Sequence, residues 1–117
     1  MAKYAITGGY TTEAWASMVQ NPSDRAAAAR QIAEAVGGKL ESFYWSFGDD
    51  DFLAIFDAPD DIAAGALSVV VGSAGALRNV RTTKLITADE SRKLLEKAKA
   101  VQAKYAPPTA RQTASVR

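Results

Sequence analysis

A chain of 117 residues is long enough for one domain with a core of ordinary size. Its 48% hydrophobic and 23% charged residues give a globular profile, not a disordered one. Cysteine and histidine are both absent, which excludes disulfides, thiolate metal sites, Cys nucleophiles, the Ser-His-Asp triad and His-ligated iron or haem.

The formal charge of +1 conceals an asymmetry. Residues 1–90 hold 7 Lys/Arg and 12 Asp/Glu, a net of −5, whereas residues 91–117 hold 7 Lys/Arg against Glu96 alone, a net of +6. The basic end reads as a solvated helix and a loose tail. It lacks the interleaved stacking aromatics of a strand-binding surface, so nucleic acid is not an expected partner. No apolar run approaches the ~20 residues that span a bilayer. Met1-Ala2-Lys3-Tyr4 begins no secretory signal, so a cytoplasmic location and no membrane partner are expected.

In chain order, residues 3–10 predict a first strand ending in Gly8-Gly9-Tyr10. Thr11 or Thr12 caps a short helix through residues 14–19, and Asn21-Pro22-Ser23-Asp24 restarts it, with Asn21 as the cap and Pro22 at the first helical position. Ala29, Ile32, Ala33 and Val36 recur at helical spacing as its buried stripe, and Gly37-Gly38 ends it. Residues 38–58 predict a β-hairpin: two aromatic-rich runs around Gly48-Asp49-Asp50-Asp51. Simple alternation puts Phe43, Trp45 and Phe47 on one face and Leu40 and Tyr44 on the other; Phe52, Ala54 and Phe56 alternate with Leu53 and Ile55. Apolar side chains on both faces imply that both are covered.

A second helix starts at Ala58-Pro59-Asp60-Asp61, with Ile62, Ala63, Ala66, Leu67 and Val70 expected to face the core. A fourth strand follows over residues 77–86. Thr87-Ala88-Asp89-Glu90 is a capping box for a last helix striped by Leu94, Ala98, Val101 and Tyr105, which Pro107-Pro108 stops. The expected architecture is α+β: a ferredoxin-like βαββαβ antiparallel sheet with both helices on one face, plus a C-terminal helix. The expected divisions are a domain over residues 1–88, a helix over 89–105 and a flexible tail over 106–117. The bare sheet face calls for a partner, most simply a second copy of the chain.

Several local patterns together resemble the GYD-domain family, small bacterial proteins named for a Gly-Tyr-Asp motif. They are the strand from Tyr4 to Thr11 with its Gly-x-Tyr-Thr ending, Gly37-Gly38-Lys39-Leu40-Glu41 leading into Phe43-Tyr44-Trp45, Phe47-Gly48 with Asp51, and Asp57-Ala58-Pro59-Asp60. Gly48 and Asp51 are the motif positions; where the family name calls for tyrosine before the aspartate, this chain has Asp50. The resemblance implies a fold similar to dimeric α/β-barrel proteins and brings no activity with it.

Four features are candidates for chemistry. Asp49-Asp50-Asp51 has the ligand type of a Mg²⁺ or Ca²⁺ site, but consecutive side chains diverge, and a solvated turn is the preferred reading, with Asp51 free to accept backbone N–H groups. No metal or cofactor is expected. Tyr4, Tyr10, Trp15, Tyr44 and Trp45 are candidate walls of a small-molecule cleft between the Gly8-Gly9 end of the first strand and the hairpin, against core packing as the plainer use. Arg78 and Lys84 are expected on one face of the last strand and Arg81 on the other. Gly8-Gly9 lacks the further glycines and lysine of a phosphate loop. Two functional readings stand: a small-molecule-binding or structural homo-oligomer without catalysis, and a cofactor-independent enzyme, monooxygenase- or isomerase-like, working in the sheet–helix cleft.

Overall fold

The computed structural model describes residues 1–108. Its elements are β1 (Ala2–Tyr10), α1 (Thr12–Gln20), α2 (Arg25–Ala35), β2 (Lys39–Trp45), β3 (Phe52–Ala58), α3 (Asp61–Ser73), β4 (Leu77–Leu85) and α4 (Ala88–Val101), followed by a 3₁₀ turn at Gln102–Lys104. The strands pair antiparallel throughout in the order β2-β3-β1-β4, which is the ferredoxin-like arrangement. Strand β3 shows why one face becomes the core. Phe52, Ala54, Phe56 and Ala58 are buried, while Leu53, Ile55 and Asp57 between them stay half-exposed. Tyr4 and Ile6 of β1, Ala33 of α2, and Ala64 and Leu67 of α3 complete the buried cluster. Phe56, 1% exposed at its centre, contributes about 1.5–3 kcal/mol by leaving water.

Two bulges change the parity expected from simple alternation. In β2 the register slips between Leu40 and Ser42, so Leu40 pairs with Phe56 and joins Phe43 and Trp45 on the helix side, leaving Tyr44 on the opposite face. The strand ends at Trp45, and Phe47 stands fully exposed in the turn. In β4 an extra residue opposes β1 between Thr7 and Gly9, with Asn79 in the left-handed region at φ 52°. Arg78 and Arg81 therefore share the open sheet face, and Lys84 turns to the helix side, the reverse of the expected division.

Helix starts follow their side-chain caps. Thr11 accepts Ala14 N–H for α1 and Asp60 accepts Ala63 N–H for α3. For α2 the cap is Asp24, which accepts Ala27 N–H; Asn21 instead closes α1, and Pro22 lies between the helices. A Schellman ending stops α2, with Gly37 at φ 84°, Gly37 N–H on Glu34 O and Gly38 N–H on Ala33 O. The buried stripe of α3 is Ala63, Ala64, Leu67 and Val71; Ile62, Ala66 and Val70 are exposed. A helix apolar on nearly every side carries no single phase in its sequence, and the docking of Asp60 and Asp61 beside β1 sets it.

The chain divides into two compact units, Met1–Leu85 and Ile86–Arg117. In the second, Thr87 and Glu90 form the reciprocal capping box of α4. The helix gives way at Gln102 and Tyr105 is extended, so its stripe ends at Val101 rather than at Tyr105. Of the expected tail, residues 109–117 lie outside the described part.

Candidate functional site

At the Gly9 end of β1, Tyr10, Trp15 and Trp45 are brought together, but against one another. Tyr10 meets Trp15 edge-on at 5.0 Å and Trp45 at 5.7 Å, and the two tryptophans meet at 5.2 Å. Phe52 tilts against Tyr10 at 5.5 Å, and Trp45 Nε1–H donates to the Tyr10 hydroxyl at 3.1 Å. Rings fill the space expected to be a cleft between β1 and the hairpin. Tyr4 lies apart from them, buried and stacked on Phe56 at 5.5 Å. Its hydroxyl donates to Asp61 Oδ1 at 2.6 Å, and Lys84 Nζ reaches the same oxygen at 3.2 Å. The bond to Asp61, helped by burial, pushes the Tyr4 phenol up to about 12. Tyr4 and then Lys84 hold the Asp61 carboxyl below its ordinary value. Tyr44 is exposed on the other sheet face and joins neither group.

Around Asp51 the hairpin is clasped to the centre of the sheet. Its carboxylate accepts Tyr10 N–H at 2.9 Å and Arg78 Nη2 at 3.3 Å, while its own N–H donates to Gly8 O at 2.8 Å. The Arg78 guanidinium lies across Gly9, where a Cβ would come within 2.5 Å of Cζ, and Nε donates to Tyr10 O at 3.3 Å. Arg81 forks onto both oxygens of Asp50, at 3.0 and 2.8 Å. Two of the three consecutive aspartates are thus committed to separate guanidiniums, which makes the run a clasp and not a ligand set. Gly48 sits in the exposed turn with open space where a side chain would go.

The open space lies elsewhere, between the helix face of the sheet, α2 and α3. It is a cavity of about 290 Å³ walled by Ile6, Ile32, Phe43, Phe56, Leu67 and Val71 among other apolar side chains. Tyr10 is the one residue of the expected five that lines it, and Arg25, from the first turn of α2, is its other polar wall. Sequence reasoning does not reach Arg25, although a signal exists: a cation in a helix's first turn opposes the dipole and needs another reason to be there.

A family model for the GYD domain matches residues 4–95. The chain belongs to the GYD-domain family. No curated protein and no solved structure matches it. In this GYD domain the motif aspartate, Asp51, ties the hairpin to β1 and β4, and Asp50, in the place of the expected tyrosine, takes Arg81 as its partner.

Proposed function

We propose that this GYD-domain protein is a small-molecule-binding module that works as a homodimer and has no catalysis of its own. The observation that carries the reading is the cavity under α2 and α3. Its volume of about 290 Å³ is near the lower end for small-molecule sites, and its walls are apolar with two polar groups, the usual makeup of such a site. The lining suits holding more than reacting: a guanidinium binds anions rather than moving protons, and the Tyr10 hydroxyl is already engaged by Trp45. Support for the homodimer comes from the open sheet face, where no helix of the first unit packs and where Ala5, Leu53 and Ile55 lie side by side, half-exposed.

The test is a titration with 1-octanol and naphthalene, read by tryptophan fluorescence, since Trp15 and Trp45 pack on the cavity-lining Tyr10. The wild-type protein is expected to bind at least one of them, and Ala29→Leu, which fills the cavity from α2, to lose that binding while keeping its circular dichroism. Undiminished binding by Ala29→Leu, or no binding by the wild type, overturns the reading.

A further inference from the structure

The cavity is chemically lopsided, and its odd member is Arg25. The Nε–H of this side chain is shut off from solvent and has no hydrogen-bond partner, alone among the buried side-chain polar atoms of the described residues. No carboxylate of those residues forms an ion pair with it. An unpaired donor on a charged group is costly once desolvated, so such groups are normally satisfied. Position sharpens the point. Arg25 is the first residue of α2, where the helix dipole already presents positive charge, and it borders both the cavity and a depression on the outer surface of that helix. A cation placed there is unfavourable for the empty protein and favourable for an anion at the rim of the cavity.

We infer that the cavity takes an amphipathic monocarboxylate, its apolar body among the Ile32, Phe43 and Leu67 side chains and its carboxylate on Arg25. The inference rests on the binding reading above and adds the ligand's charge. Planar guanidinium matches planar carboxylate through two parallel N–H···O bonds, one of them from the orphaned Nε–H. The space limits the size: at about 30 Å³ for each water-sized group, 290 Å³ holds roughly ten non-hydrogen atoms, the size of an eight-carbon acid.

The experiment uses the full chain with octanoate, 1-octanol and octylamine, three eight-carbon probes that differ in head group, followed by titration calorimetry and tryptophan fluorescence. Octanoate is expected to bind more tightly than octanol, and octylamine more weakly than either. Arg25→Gln is expected to weaken octanoate by about tenfold to a hundredfold, the worth of a charge-assisted hydrogen bond, and to leave octanol nearly unchanged. Arg25→Lys keeps the charge without the fork and should recover part of the loss. Equal binding of octanoate and octylamine by the wild-type protein overturns the inference without recourse to any variant. So does an Arg25→Gln protein that binds octanoate as the wild type does. If octanol binds and octanoate binds no better, the charge assignment falls and the cavity reading stands; if neither binds, both fall.

Discussion

Asp51 concentrates three contacts in one side chain that is mostly out of water: the Tyr10 N–H, the Arg78 guanidinium and, through its backbone, Gly8 O. Asp51→Ala should lower stability by about 1–3 kcal/mol, because the Tyr10 N–H is left without its acceptor. Asp51→Asn, which keeps an oxygen in place and loses only the charge, should lose less; urea unfolding of both variants checks the order. Tyr4 gives a second prediction, with its sign fixed by linkage. The phenol is raised in the fold, from 10.0 to about 12, by its bond to Asp61. Its contribution is therefore complete below pH 10 and is lost as pH rises from about 10 to 12, because there the unfolded chain gives up its proton first. Wild-type stability should fall through that window more steeply than that of Tyr4→Phe; parallel curves would remove the role assigned to the bond. The two residues differ in legibility. Asp51 stands in a turn whose chemistry announces backbone acceptance, whereas Tyr4 and Asp61 are joined across 57 positions of chain, which no local pattern records.

Elements are legible where one local rule decides them, and illegible where two strands or a strand and a helix decide together. The Thr87 capping box, the Ala29 to Val36 stripe and the alternation of β3 are local, and the structure has them as the sequence predicts. The bulges in β2 and β4 depend on partner strands, and each reverses the face of residues beyond it, which is why alternation alone misplaces Leu40, Arg78 and Lys84. The cavity follows the same logic. It is a gap left between α2, α3 and the sheet, so its lining depends on the phase of α3, which an all-round apolar sequence does not encode. Two glycines test the elements in opposite directions. Gly65 lies inside α3, and a Cβ added there would have nothing within 4 Å, so Gly65→Ala should stabilise by about 0.5–1 kcal/mol through helix propensity. Gly38 lies where α2 hands over to β2, and a Cβ there would fall 2.0 Å from Asp57 O, a backbone atom. Gly38→Ala should destabilise by about 3 kcal/mol or more, because strand β3 would have to move away. Thermal melts of the pair, one rising and one falling, are the check.

At the scale of the molecule the open face of the sheet asks for a partner. Its centre is apolar: Ile55 of β3 pairs with Ala5 of β1 and neighbours Leu53 along the strand, with Tyr44 exposed beside them on β2. Ion pairs border that centre, Lys3 with Glu41 and Asp57 at one end and Arg81 with Asp50 at the other. An apolar middle within a charged rim is the anatomy of a protein interface. A two-fold axis through the middle would lay Ile55 and Leu53 of one copy on those of the next, an isologous contact that closes at two. We expect light scattering at micromolar concentration to report a homodimer, and Ile55→Lys, which sets like charges facing across the axis, to shift it to monomers with unchanged circular dichroism. The cavity opens on the opposite face of the sheet, so the monomeric variant should still bind 1-octanol as the wild type does. A wild-type protein that is monomeric at that concentration ends the proposal. An Ile55→Lys dimer would move the contact off this face, since a buried lysine pair at its centre could not persist.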